Sequence, residues 1–242
     1  MVGSDLVRYL GTSFEITQIH RSNYTDYKRK TFDIVINANG NSKRYWANRH
    51  PLEDFMASTV SVYQSIFDFP CGTYIYISSP DVYTHHESTR MTRETVAIDP
   101  KALEPYGLHK YLSELIVMKY AKKFLILRCS MMLGMKLTKG PFFDVQQSMP
   151  LFVTTNSRLQ LITTRTVADI LESLLQSGVR NDVINIGGLG TFSFTKIQDY
   201  FDQNIRSSPQ AKQQIYEMNI TKLKRLYSAL KTSEEYLQEF VV

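Results

Sequence analysis

The sequence predicts an α/β fold built on a doubly wound parallel sheet, and three observations predict it. Short, largely apolar runs recur along the 242 residues; longer segments with apolar residues at helical spacing separate them; turn-forming residues bound the runs. Residues 4–10 read as a helix with Leu6, Val7 and Leu10 on one face, and residues 15–20 as a strand. Residues 32–38 (FDIVINA) form a run apolar enough for a strand buried on both faces. A long helix over 52–67 follows, then a strand at 74–78 (YIYIS). A second long helix covers 106–120, with Leu112, Ile116 and Tyr120 on one side, and leads to a strand at 124–128 (FLILR). Residues 166–176 read as helix and 183–186 (VINI) as a strand closed by Gly187-Gly188; from residue 191 helix and loop alternate. This order implies right-handed crossovers. It places the chemistry beyond the carboxyl ends of the strands, just after Ala38, Ser78 and Arg128.

Composition sets the bounds. Hydrophobic residues make up 43% and charged residues 21%, as in chains that bury a core. A single domain over residues 1–242 is expected. The net charge of +5 is scattered. The densest basic runs, at residues 28–30 and 222–225, read as solvated surface, so no nucleic-acid partner is expected. Cys71 and Cys129 lie in or beside apolar segments without metal-ligand spacing and read as small core residues. No signal peptide is evident and no apolar run approaches the ~20 residues of a membrane span, so a cytoplasmic protein is expected. His85-His86 reads as a polar loop, and no metal site is expected.

Tyr106-Gly-Leu-His-Lys110 carries the chemistry. One helical turn brings the Lys110 ammonium to the Tyr106 hydroxyl, where it favours tyrosinate and suits Tyr106 to proton transfer. The spacing recurs at Tyr24/Lys28 and Tyr227/Lys231, so context must discriminate. Only Tyr106 follows a strand that ends in serines (ISSPDVY) and opens a long helix leading to another apolar strand. There Ser79 can hydrogen-bond an oxygen to which Tyr106 supplies the proton. The plain alternative is a turn serine and an exposed helix pair.

The stretch ISSPDVY, then Glu94 and Pro100, then YGLHKYLSE and LILRCSMMLG, resembles the extended short-chain dehydrogenase/reductase family, which includes nucleotide-sugar epimerases, dehydratases and ketoreductases. FDIVINANG, Val167-Ala-Asp169, VINIGG and the tail NITKLKRLYSALKTSEEYL extend the likeness over nearly the whole chain. The resemblance implies a Rossmann-like, dinucleotide-binding fold. It also implies a small substrate-binding region from about residues 135–165 and 190–242. Ser79, Tyr106 and Lys110 are then catalytic, and Gly3, Arg21, Ala38, Asn39, Tyr106 and Lys110 contact the cofactor. Arg21, eighteen residues beyond Gly3, suits the 2′-phosphate of NADP(H) better than the ribose of NAD(H). The expected activity is reduction or epimerisation at a keto or hydroxyl carbon of a nucleotide-linked sugar. A homodimer through the helices at 52–67 and 106–120 is a further implication.

The chain departs from the family pattern in four places. Gly3 matches only the third glycine of the phosphate-binding fingerprint, so either the true start lies upstream of Met1 or the chain is shortened. About ten residues separate Arg21 from the next strand, too few for the usual strand and helix. Pro80-Asp81 replaces the Asp-Glu pair of the dehydratases, and Met131 stands where an Asn is usual. These departures keep a second reading open: a non-catalytic member that senses a cofactor or binds a partner.

Overall fold

The computed structural model describes residues 1–41, 43–201 and 204–241. It opens with helices α1 (Val2–Leu10) and α2 (Tyr24–Tyr27), then strand β1 (Phe32–Asn37). Helices α3 (Arg44–Arg49), α4 (Pro51–Phe55) and α5 (Ser61–Asp68) follow, the last two joined by a π-helical turn at Met56–Val60. Strand β2 (Cys71–Ser78), helix α6 (Pro105–Tyr120) and strand β3 (Phe124–Cys129) form the centre. Beyond them lie β4 (Met131–Leu133), α7 (Pro141–Gln146), β5 (Leu151–Val153), β6 (Arg158–Leu159), β7 (Leu161–Thr163), α8 (Thr164–Gln176) and β8 (Asp182–Ile186). The chain continues through β9 (Phe192–Ser193), β10 (Ser207–Lys212), β11 (Ile215–Tyr216), α9 (Thr221–Leu226) and α10 (Ser233–Val241).

The main sheet is parallel, in the order β1-β2-β3-β8. Its strands alternate strictly between two cores, as a period of two requires. Ile75, Ile77, Leu125, Leu127, Ile184 and Ile186 pack with Leu6 and Leu10 of α1 and with Val167, Ile170, Leu171 and Leu174 of α8. On the other face, Tyr74, Tyr76 and Ile126 pack with Val62 of α5 and Val117 of α6. Helices therefore cover both faces, and the fold is Rossmann-like.

Four expectations need correction. Residues 15–20 form no strand; among the described residues no strand lies beyond β1 to pair with them, and Phe14 and Ile16 pack on the core as irregular chain instead. For the same reason FDIVIN is an edge strand, with Ile34, Val35 and Ile36 only partly buried. The strands advance in one direction from β1 to β8, yet α6 and α8 lie on opposite faces, so the crossovers on either side of β3 have opposite hands. The long connection through α7 and four short strands relaxes the usual chirality rule. Finally, the tail is not helix and loop alone: β5 pairs with β10, β6 with β11 and β9, around Leu133, Phe142, Leu151, Phe192 and Phe194. The other four strands have only two or three residues, too few to show alternation, and the six residues of β10 (SSPQAK) are polar and carry a proline.

Candidate active site

The carboxyl ends of β1 and β2 and the start of α6 meet at one place. After β2, Ser79 caps a short 3-10 turn, Pro80–Val82, by accepting from the Asp81 amide. Helix α6 begins directly on that turn. Its Pro105 needs no amide partner at the first position, and the Tyr106 amide donates to Asn48 Oδ1 at 3.0 Å. A Cβ on Gly107 would stand 2.1 Å from the Asp81 carbonyl oxygen, so the glycine of the Tyr-Gly-x-x-Lys motif permits the close approach of turn and helix.

These contacts bring the expected trio together. The buried Ser79 side chain lies beside the buried Tyr106 phenol. The Lys110 ammonium, one turn along α6, is buried too; it donates to the Ile77 carbonyl at 3.1 Å and sits 5.0 Å from the centre of the Tyr76 ring. Burial pushes the Tyr106 phenol above its ordinary pKa; Lys110 and a Ser79 hydrogen bond pull it down, and Asp81 pushes it back up.

The remaining candidates fall in three places. Gly3 lies in the first turn of α1, and a Cβ there would be 3.7 Å from that of Ala38, so the N-terminus of α1 is pressed against the end of β1. The Asn39 amide donates to Asn37 Oδ1 at 3.0 Å, which shapes the turn beyond β1. Arg21 is exposed in the turn before α2 and forms no hydrogen bond or ion pair among the described residues. The two other Tyr-x-x-x-Lys pairs lie elsewhere: Tyr24 and Lys28 both bind Asp68, and Lys231 pairs with Glu239. His85 pairs with Glu87, and His86 stacks on Tyr216; no group of three metal-ligating side chains occurs among the described residues.

Several site residues carried no assigned role in the sequence. Asp81 bonds Ser79 Oγ at 2.8 Å, Arg44 at 3.0 Å and the Tyr216 hydroxyl at 3.0 Å, which ties together the end of β2, the start of α3 and β11. Arg44 also bonds Tyr216. Beside this cluster opens a polar cleft of about 400 Å³, bounded by Arg44, His86, Lys212 and Tyr216 among others. Lys139 faces Asp81 as well; burial and the neighbouring cations lower its pKa to about 8. Behind the trio, Glu114 accepts from Arg128 at 2.6 Å and from Ser78 at 2.6 Å, and Arg128 reaches the Tyr83 hydroxyl at 2.8 Å. Burial disfavours the Arg128 charge, but Glu114 and Tyr83 more than restore it. A second buried pair, His109 and Asp54 at 2.7 Å, fixes α6 against α4. An arginine in the apolar run FLILR and a glutamate four residues after Lys110 were the available signals for the Glu114–Arg128 pair.

The sequence model of the NAD dependent epimerase/dehydratase family matches residues 1–187, and the chain belongs to that family. Among solved structures, a UDP-galactose 4-epimerase superposes with a TM-score of 0.80 at 16% identity, over 100% of this chain and 94% of that one. A dTDP-4-dehydrorhamnose reductase from Bacillus anthracis, in complex with NADP, gives 0.78 at 16% identity over 99% and 93%. The dTDP-glucose 4,6-dehydratase of the same organism, in complex with NAD, gives 0.69 at 16% over 100% and 92%. A comparison with curated protein sequences gives no match. At these identities the neighbours establish the fold.

The residues present fit a nicotinamide dinucleotide at its reactive end. Gly40 has a φ of +115°, and a Cβ there would lie 3.9 Å from Lys110 Nζ and 3.4 Å from Ser58 Oγ. A bare backbone thus lies beside a buried ammonium, where a ribose or nicotinamide can approach.

Proposed function

We propose that the chain is a nicotinamide-dependent enzyme that reduces or epimerises a keto or hydroxyl carbon of a nucleotide-linked sugar. The observation that carries this reading is the convergence of Ser79, Tyr106 and Lys110 beyond the strand ends. Family membership and neighbours that act on nucleotide sugars support it. Tyr106 gives or takes the proton at the sugar oxygen. Ser79 stands where it can hydrogen-bond that oxygen. Lys110 stabilises tyrosinate and holds the nicotinamide ribose, while the nicotinamide supplies or accepts the hydride. Gly3, Ala38 and Asn39 flank the cofactor. Arg21 favours NADP(H) over NAD(H), a charge preference for a 2′-phosphate.

The segments 135–165 and 190–242 form the substrate-binding region of a single domain, with the cleft beside Arg44 and Tyr216 as its mouth. Among the described residues no helix is long and apolar enough to cross a membrane, and we place the protein in the cytoplasm without a nucleic-acid partner. The test of function is substrate-dependent loss of the reduced nicotinamide signal with a panel of keto-sugar nucleotides. Turnover with at least one is expected; bound cofactor without turnover on any would refute the reading.

We assign the homodimer to the outer faces of α5 and α6. Tyr63, Phe67, Leu115 and Tyr120 are exposed there, with Met56 of the preceding π-helical turn beside them, and Tyr63, Phe67 and Tyr120 meet one another edge to face. A patch of this kind is what a second copy covers. Leu115→Glu is expected to turn a dimer into a monomer in sedimentation velocity. A monomeric wild type, or a variant that stays dimeric, would contradict the assignment.

A further inference from the structure

Arg44 engages the protein through one nitrogen of its guanidinium. Nη1 donates to Asp81 Oδ1 at 3.0 Å and to the Tyr216 hydroxyl. Nε and Nη2 form no hydrogen bond among the described residues, and the side chain, 39% exposed, lines the cleft of about 400 Å³.

The rest of the cleft wall leaves positive charge and hydrogen-bonding capacity unanswered. The Lys212 ammonium has no partner among the described residues. Neither has the buried Nε2 of His86, whose ring packs on Tyr216 with centroids 4.3 Å apart. Of the carboxylates beside the cleft, Asp81 already accepts from Ser79, Arg44 and Tyr216, and Glu87 leans on His85 at 3.5 Å.

Asp81 also fixes how far Arg44 lies from the chemistry. Its Oδ2 accepts from Ser79 Oγ at 2.8 Å and its Oδ1 from Arg44. One carboxylate group therefore separates the guanidinium from the hydroxyl that stands at the reacting oxygen. A sugar held at that oxygen brings to Arg44 a substituent of a neighbouring ring carbon. In a hexose that reacts at its fourth carbon, the neighbour carries the sixth carbon. The diphosphate on the first carbon leaves from the far side of the ring.

We propose that Arg44 selects sugars that carry a carboxylate: its free Nε–Nη2 edge receives the carboxylate of a nucleotide-linked uronic acid. The inference rests on the nicotinamide-enzyme reading above and names its substrate class. A guanidinium edge donates two parallel N–H bonds, which match the two oxygens of a carboxylate in both geometry and charge. The hydroxymethyl group of a neutral hexose offers the same edge one oxygen and no charge.

The test compares sugars that differ only in this group. UDP-glucuronate and UDP-glucose, and the corresponding dTDP-linked pair, are titrated into the full chain by calorimetry. The diphosphate is common to each pair, so the ratio of the two dissociation constants isolates the carboxylate. In at least one pair the wild type is expected to bind the uronate about 10–100-fold more tightly, the usual worth of charge-assisted hydrogen bonds. Arg44→Gln keeps a donor for Asp81 and Tyr216 but removes the charge and the fork. It is expected to bring the ratio to within about threefold of unity while the neutral sugar binds as before. A ratio near unity in the wild type, no binding of either uronate, or a ratio that survives Arg44→Gln overturns the inference. Equal weakening of both members of a pair also overturns it, since Arg44 would then only tie α3 to Asp81 and Tyr216. Arg44→Lys covers the case in which Arg44→Gln does not fold: it keeps a cation without the fork and is expected to lose most of the preference, and an unchanged preference overturns the inference. Turnover of neutral keto-sugar nucleotides with no preference for uronates would remove this inference and leave the enzyme reading standing. Uronate binding through Arg44 in a chain that turns over no sugar nucleotide would do the reverse.

Discussion

Tyr106→Phe is expected to lower turnover by about 10²–10⁴-fold, the usual contribution of a positioned acid or base. The substitution removes one oxygen. The ring stays buried among the same neighbours, and the first turn of α6 keeps its bond from the Tyr106 amide to Asn48. Loss of one hydroxyl contact costs about 1 kcal/mol or less, so the variant should fold and bind cofactor. Turnover measured beside the melting temperature separates chemistry from folding. A variant within about twofold of wild type would show that Tyr106 is not the acid, because no other tyrosine lies against both Ser79 and Lys110 among the described residues.

Arg128→Met should have the largest effect on stability. The Arg128 and Glu114 side chains are 4% and 0% exposed, and the pair is bidentate, with Ser78 and Tyr83 completing the network. Removing the arginine leaves a carboxylate in the core with only a serine to answer it. Breaking a buried pair in this way costs about 3–5 kcal/mol. In a chain of this size that corresponds to a fall of roughly 6–20 °C in melting temperature. The double variant Arg128→Met/Glu114→Leu should recover much of the loss, since it also removes the stranded charge. If the single variant lost under about 1 kcal/mol in urea denaturation, the pair would be far better hydrated than its burial indicates.

The trio was legible because its logic is local. Tyr106 and Lys110 share one helical turn, and Ser79 directly follows an apolar strand whose chain order fixes its neighbours. The constraints on the trio were not legible, because they are long-range. Asp81 meets Arg44 across 37 residues and Tyr216 across 135, and neither partner has a spacing that points to the other. The sheet shows the same division. The runs at β1, β2, β3 and β8 were clear from their apolar character. Residues 15–20 misled because strand propensity carries no information on whether a neighbouring strand is there to pair with. FDIVIN reads as a central strand for the same reason, although it occupies an edge. The helix foreseen at 52–67 holds from Pro51 to Asp68, but nothing in its pattern shows the π-helical turn at Met56–Val60, whose Thr59 hydroxyl docks on the His109 carbonyl one residue from Lys110.

The central claim is that this chain holds a nicotinamide dinucleotide at the Ser79–Tyr106–Lys110 site. A thermal-shift titration with NADPH, with NADH and without ligand tests it most directly. A ligand that binds only the folded state, at about 100 times its dissociation constant, adds about 2.7 kcal/mol, or roughly 5–10 °C for a chain of this size. The account predicts a rise of that order with NADPH and a smaller one with NADH at equal concentration. No rise with either, up to millimolar concentrations, would contradict it and favour a family member that uses the same fold to bind a partner.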